Sequence, residues 1–512
     1  MLWLALTAHE DEGTVKPGDI AAVIDLGSNS ARLLVARTLG AFGFEVVDEE
    51  RVDARLGEGQ TDGLLSAQAL QRGLEAMRIM ASIAAAYEPA AIAVAGTEAL
   101  RNATNANMLI AAAREATGLD IEILSGAAEA EASFLGVINS TCMVDGAILD
   151  LGGGSLEVMH VQDRTLVEAL SVPLGAIYAR ERFLPSDPPP NREVRALRKA
   201  VRQQLHSVAP ASALAGTGGA VRNLARIVRL GRRYPLRRIH GLVLQRNDVH
   251  RLARQLSRVT EAERARVPGV GSRAGTLHAA AIVVDEVMDI LGADELTVVG
   301  QGLREGLLWR QLRPESPVLA DVRSASVQAL ASANGVDFAA ARPVFATALR
   351  IFDALAEAFA MDPGDRDLLD AAAQLGQIGG HVDYYDRDRH AEYLVLSGDL
   401  HGFSHREIVL VAAIVRWAAS GTPSLGAYRR IIEPGDAERA AMLASILGIA
   451  QAVHRRMPST ATAVTAELKK GALRLSIITR DAAEPELAAL ARQRARFEAL
   501  FARELQVRAA TS

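Results

Sequence analysis

AAVIDLGSNSARLLVAR, residues 21–37, carries a strand-like apolar run into one acid, Asp25, and then through a turn of small residues into a second apolar run. Two readings fit such a stretch. It is an ordinary hairpin, or the turn Gly27-Ser28-Asn29-Ser30 holds a ligand that likes amides and a carboxylate. A second copy of the pattern bears on the choice. AVIDLGSNSARLLV at 22–35 aligns without gaps on AILDLGGGSLEVMH at 147–160, matching Asp25 with Asp150, Gly27 with Gly152 and Ser30 with Ser155. A repeated strand–turn–strand unit with so long a period points to two domains of common ancestry rather than to a solenoid.

The text between and after the two copies reads as mixed α/β. Ser66 is placed to cap a helix whose Leu70, Leu74, Met77 and Ile83 share a face. AAIAVAGT at 90–97 is a short buried strand, and EALRNATNANMLIAAAREATG is a helix closing at Gly118. IEILS at 121–125 is a strand followed by the helix GAAEAEASFLGVIN. Asn191 is expected to cap a helix burying Val194, Leu197, Val201 and Leu205. Further glycine turns lie in AGTGGAVRNLAR at 215–226 and ELTVVGQGLREGLLW at 295–309, and RPESP at 313–317 reads as a linker. Beyond it the chain is Ala/Leu-rich and helical to about residue 455. TAVTAELKKGALRLSIITR at 462–480 then reads as a hairpin turning at Lys470-Gly471, with a charged helix running on to the end.

With 512 residues, the chain exceeds what one core usually serves. Hydrophobic residues at 49% and charged residues at 23% fit a folded, soluble globular protein. Aromatics at 4% leave few platforms for stacking nucleic-acid bases, and no specific nucleic-acid partner is expected. A net charge of −5 provides no bulk attraction to polyanions, so anion binding must come from local patches. The single cysteine, Cys142, excludes an internal disulfide and a cysteine metal cluster, and fits a cytoplasmic protein. MLWLALTAHEDEG lacks the basic start and the length of a signal or spanning segment, so residues 1–17 are read as a flexible tail and no membrane association is expected.

Four turns concentrate the chemistry: DLGSNS, DLGGGS, AGTGG and GQGLREG. Each follows a strand-like run and exposes backbone N–H groups with little Cβ obstruction, which suits phosphate oxygens. Their binding candidates are Gly27, Ser28, Asn29 and Ser30, then Gly152, Gly153, Gly154 and Ser155, then Gly216, Thr217, Gly218 and Gly219. Asp25 and Asp150 end strands where carboxylates can hold Mg²⁺, or another divalent cation such as Mn²⁺, although Asp25 also fits a turn that bonds its own backbone. Glu157 points to the same side as Ser155; it is a metal acid or a solvent-facing strand residue. Arg101 offers a bidentate phosphate clamp or a surface ion pair. Glu129 is an ordinary first-turn acid or a general base for water.

Together these motifs resemble the exopolyphosphatase/guanosine pentaphosphate phosphohydrolase family. The resemblance rests on DLGSNSARLLVAR, GTEALRNATN, IEILSGAAEAEASFLG, LDLGGGSLEV, GTGGAVRNLA and GLREGLL, in order, over residues 20–310. It implies a fold with two duplicated actin-like (ribonuclease H-like) domains, at 18–137 and 138–312, facing an interdomain cleft. An all-α HD-like domain at 320–455 and a small C-terminal α+β piece at 456–512 would follow. It implies Glu129 as catalytic base, Asp150 and Glu157 as divalent-metal acids, Arg101 as a phosphate contact, and the two DLG turns as phosphate loops. The family pattern G-x-E-E-A departs here to Ala128-Glu129.

The implied activity is hydrolysis of the terminal phosphoanhydride of inorganic polyphosphate with Mg²⁺, releasing orthophosphate. The alternatives are a guanosine pentaphosphate 5'-phosphohydrolase and a catalytically weak polyphosphate- or alarmone-binding regulator. A homodimer is expected by the same resemblance. An HD-type site needs adjacent His-Asp, yet none of the 11 histidines precedes Asp, and Gly376-Gln377 stands at the expected place. That domain is therefore expected to be catalytically degenerate, with His381, Asp386 and His390 either binding a stray metal or, as the preferred reading, serving polar helix packing. Two arginine-rich helix faces, Arg222/Arg226/Arg229/Arg233 and Arg195/Arg198/Lys199/Arg202, read as solvated surface or as a polyanion track.

Overall fold

The computed structural model describes residues 15–59, 63–419, 424–456 and 458–511. Most of the tail read over residues 1–17 therefore lies outside the described residues. The chain divides into two compact units, residues 1–322 and 323–512.

In the first unit, the opening run forms β1 (Ile20–Leu26), nearly all of it buried. Continuous apolar character on both faces is what a central strand needs. β2 (Ala31–Thr38) returns antiparallel and is followed by β3 (Phe44–Val52). Helix α1 (Ala67–Ala85) starts where Ser66 Oγ accepts from Ala69 N at 3.1 Å, a cap that contributes about 1 kcal/mol. Its deepest face is Ala69, Gly73, Ala76, Met77, Met80 and Ala84, while Leu70, Leu74 and Ile83 pack at the margin. The small residues turn inward because Leu109 and Leu56 would lie within 3 Å of a Cβ on Gly73.

β4 (Ala91–Gly96) pairs parallel to β1 and feeds two helices rather than one, α2 (Glu98–Arg101) and α3 (Ala106–Thr117). Gly118, at φ +74°, closes α3 in the left-handed conformation. β5 (Glu122–Ile123) leads to α4 (Gly126–Ile138), whose N-cap Ser125 accepts from Ala128 N. The first sheet runs β3-β2-β1-β4-β5.

The pattern then repeats. β6 (Gly146–Leu151), β7 (Leu156–Gln162) and β8 (Thr165–Val172) form the second meander. Helices α5 (Ala176–Phe183) and α6 (Asn191–Gln204) precede β9 (Leu214–Thr217) and α7 (Gly219–Gly231). Asn191 is the first helical residue, with Pro190 at the cap position; Leu197, Val201 and Leu205 are buried as expected. β10 (Val243–Gln245), α8 (Arg246–Leu256), α9 (Glu261–Arg264), α10 (Leu277–Leu291), β11 (Glu295–Val298) and α11 (Leu303–Leu312) complete the unit.

The second sheet runs β8-β7-β6-β9-β11-β10, repeating the first order with one strand added. Register repeats as well: Asp25 pairs with Arg32 in β1–β2, and Asp150 pairs with Glu157 in β6–β7. Each turn closes identically, Gly27 N to Ser30 O at 3.2 Å and Gly152 N to Ser155 O at 3.1 Å.

α4 and α11 lock the two lobes together. Phe134, Val137 and Ile138 of α4 pack on Ile148 and Met159 of the second sheet. Leu307 and Leu308 of α11 pack on Ala21, Val23 and Leu34 of the first. The helices cross with backbones nearly touching. A Cβ on Gly136 would lie 2.2 Å from Gly302 O, and one on Gly306 would lie 1.7 Å from Ala132 O. After α11, Asn139 holds Pro317 O and Leu319 N, so the segment beyond RPESP is tied back to this unit.

The second unit takes up α12 (Val322–Ala333), then α13 (Phe338–Leu355), α14 (Pro363–Leu375), α15 (Arg387–Ser397), α16 (His405–Ala419) and α17 (Asp436–Val453). The hairpin β12 (Ala461–Lys469) and β13 (Ala472–Thr479) turns at Lys470 and Gly471, both at positive φ. Helix α18 (Glu484–Phe501) is not the end of the fold: β14 (Glu504–Thr511) returns parallel to β13. His381 and Asp386 are exposed and His390 is half-buried, so the first two do not serve helix packing.

Candidate active site

The three strand ends, β1, β6 and β9, open on one cleft between the lobes, a cavity of about 320 Å³. It brings together both DLG turns, Thr217, Gly218, Gly219, Asp25, Glu129, Asp150 and Glu157, although these residues come from opposite lobes. Gly216 stands one step back in β9, where Leu296 would lie 2.9 Å from an added Cβ, so its small size serves strand packing. Gly218 has φ +97°, and a Cβ there would lie 2.4 Å from Leu151 O. Only glycine lets this turn approach the β6 turn so closely.

The four candidate acids are held differently. Asp150 Oδ2 accepts from Ser133 Oγ at 2.6 Å, and Glu157 Oε1 accepts from Ser171 Oγ at 2.8 Å. Glu129 Oε2 accepts from Arg101 Nη1 at 2.8 Å, and the same guanidinium nitrogen donates to Leu124 O. Asp25 Oδ1 is buried and takes no hydrogen bond from any described residue. Burial pushes Asp25 up to about 6 and Glu129 up to about 7, the latter against the pull of Arg101. Burial also raises Asp150, and it raises Glu157 well above the carboxylate range with help from Glu129 and Asp150.

Sheltered, mutually repelling carboxylates are what a divalent cation would relieve, and an all-oxygen donor set suits Mg²⁺ or Mn²⁺. Among the described residues no three His, Cys, Asp or Glu side chains are placed to share one ion. The fit is therefore to a cation held by one or two carboxylates, with water and phosphate oxygens completing its shell, which is the usual habit of Mg²⁺. Asp25 lines the same cleft, and its Oδ1 is a buried acid oxygen left without a hydrogen bond among the described residues.

Four arginines converge that sequence reasoning did not bring together: Arg32 from β2, Arg222 from α7, Arg273 from the loop before α10, and Arg304 from α11. Arg32 Nε lies 3.4 Å from Ser30 Oγ, Arg222 Nη1 donates to Gly300 O at 2.6 Å, and Arg273 Nη1 donates to Asn223 Oδ1 at 3.0 Å. Burial lowers Arg222 and Arg273 to about 10, so both remain charged at neutral pH. Arg304 is already engaged by Leu33 O, Glu49 and Glu305. The same four arginines also line a second cavity of about 400 Å³, where Arg51 and Arg226 join them. On the other arginine-rich face, Arg198 and Arg202 are taken up by Asp285, Glu286 and Asp289 of α10, while Arg195 and Lys199 are exposed.

The family model described as the Ppx/GppA phosphatase family matches residues 34–315. That of the Ppx/GppA phosphatase domain III matches residues 322–489. Among solved structures, the chain is similar to the Ppx/GppA family member of Aquifex aeolicus, at 25% identity over 58% of this chain and 99% of that one, with a TM-score of 0.53. It is also similar in fold to an exopolyphosphatase from Cytophaga hutchinsonii, at 24% identity over 59% of this chain and all of that one, with a TM-score of 0.54.

Proposed function

From the premise that the chain belongs to the Ppx/GppA phosphatase family, with its duplicated actin-like fold, we propose that it is an exopolyphosphatase. Its substrate is inorganic polyphosphate, and it releases orthophosphate from the chain end. One observation carries this choice: the arginines Arg32, Arg222 and Arg273 run from the acid-lined cleft into a second, adjoining cavity. A repeating chain of phosphates uses such a continuous track, because each unit brings another charge.

The terminal phosphoryl group lies between the two DLG turns, whose residues line the cleft. Glu129 takes a proton from water as the water oxygen attacks phosphorus in line. The phosphoanhydride P–O bond breaks, and the bonding pair leaves on the terminal oxygen of the shortened chain. A carboxyl poised near 7 is matched to that work at neutral pH. Arg101 orients Glu129 rather than the phosphate: its Nη1 donates to Glu129 and to Leu124 O, and Arg101 is not among the residues lining the cleft. Asp150 and Glu157, with Asp25 facing them, would hold Mg²⁺ or Mn²⁺. When bound, the cation supplies neutralisation of charge on the transferring group.

The helical body before β12 is an HD-like scaffold without a catalytic His-Asp pair, and the protein works as a cytoplasmic homodimer.

Orthophosphate release from long-chain polyphosphate and from guanosine pentaphosphate, each with Mg²⁺, tests the reading. Faster release from polyphosphate is expected. Release from the nucleotide alone would replace the substrate assignment, and release from neither would leave a binding regulator.

A further inference from the structure

Glu98, the first residue of α2, belongs to neither turn yet stands between them. Its Oε2 accepts from Ser28 Oγ at 3.3 Å in the first turn. On the other side it lies against the second turn: a Cβ built on Gly154 would sit 1.3 Å from Glu98 Oε2 and 2.6 Å from Oε1. The third glycine of DLGGGS is thus the seat of a carboxylate that reaches across from the opposite lobe. The turns themselves face each other closely here, since a Cβ on Gly153 would come 3.9 Å from Ser28 Cβ. Glu98 Oε1 and Oε2 thus stand as anionic oxygens in the gap between the two turns. Burial also raises the pKa of Glu98, against the pull of the Ser28 hydrogen bond and the charge of Arg101.

We propose that Glu98 is a specificity-determining residue: its carboxylate is a resident anion that holds the space between the two turns against single phosphate groups and yields it to a phosphate chain. This rests on the turns being the phosphate site of the proposed hydrolase. A single orthophosphate has only the turns to bind and meets the carboxylate as a competitor. A chain is also gripped by Arg32, Arg222 and Arg273, so its end can displace Glu98. After cleavage the freed orthophosphate has lost that tether. The side chain swings back and expels it, which clears the site for the next unit.

The test is equilibrium titration of the full chain with inorganic phosphate, which needs no turnover, in wild type, Glu98→Gln and Glu98→Asp. Gln keeps the shape and the bond to Ser28 but removes the charge; Asp keeps the charge but is one methylene short. Orthophosphate should bind Glu98→Gln at least about tenfold more tightly than wild type, given like charges confined within a few ångströms. A smaller gain, roughly threefold, is expected for Glu98→Asp. Orthophosphate should likewise become a stronger product inhibitor of polyphosphate release. Unchanged or weaker orthophosphate binding in both variants would overturn the proposal, since a merely structural glutamate gives no gain on removal. If wild type releases no phosphate from polyphosphate, the proposed reaction falls, while the orthophosphate titration still decides the role of Glu98.

Discussion

Arg101 and Glu129 form an ion pair, Nη1 to Oε2 at 2.8 Å, that joins the helix after β4 to the helix after β5. The pair sets both the aim and the basicity of the carboxylate. Glu129→Gln is expected to lower kcat by about 10²- to 10⁴-fold, the range for a lost general base. Arg101→Ala removes a group that lowers the Glu129 pKa, so the acid limb of the kcat/KM profile should move to higher pH. A profile that stays in place after that substitution would argue against Glu129 as the titrating group.

The raised acids also set a stability trend. Asp25 titrates near 3.8 when unfolded and near 6 in the fold; Glu129 goes from 4.5 to about 7. The folded state therefore holds protons that the unfolded state has released. Their contribution is fully present below about pH 4 and is lost as pH rises through 6 to 7, by about 3 kcal/mol each without a cation. Thermal melts should show Asp25→Asn more stable than wild type at pH 8 and equal to it at pH 4. Adding Mg²⁺ should raise the wild-type melting temperature more than that of the variant.

Cation dependence gives a direct check on Asp150 and Glu157. Chelation should abolish phosphate release, and Mg²⁺ or Mn²⁺ should restore it. Glu157→Gln is expected to raise the Mg²⁺ concentration needed for half-maximal rate by roughly tenfold or more. Full activity of this variant at the wild-type Mg²⁺ requirement would remove Glu157 from the set.

The arginine track should be visible in salt. Arg222→Ala and Arg273→Ala are each expected to raise KM for long polyphosphate and to flatten its dependence on ionic strength, because fewer charge contacts are then screened. Tripolyphosphate, which is too short to use the whole track, should respond less.

At the crossing of α4 and α11 there is no space for a methyl group. A Cβ on Gly306 meets a backbone carbonyl rather than a side chain that could turn away. Gly306→Ala should cost about 3 kcal/mol or more in chemical denaturation, as overpacking against rigid backbone does.

Much of this was legible in the sequence, because the informative features are local. A strand that ends on Asp25 or Asp150, a glycine turn, and a Ser66 or Ser125 cap are written within a few residues. The duplicated sheet order follows from the duplicated motif. The four cleft arginines were not legible as a set. Arg32 looks like an outward residue of an apolar strand, Arg222 like one of several on a helix face, and Arg273 like a loop residue. Only the closing of the two lobes brings them together. β14 escaped because its pairing with β13 spans the whole of α18, with no turn signal between Phe501 and Glu504. Glu98 escaped because its partners, Ser28 and Gly154, lie on two different turns.

The paired registers of Arg32 and Glu157 have one more consequence. The repeat makes the two jaws of the cleft congruent in backbone, yet beside Asp25 stands a guanidinium and beside Asp150 a carboxylate. A clamp with matching jaws would accept a ligand either way round. This one is polarised, like a keyed connector, so the end of a charged chain and its body are drawn to opposite sides.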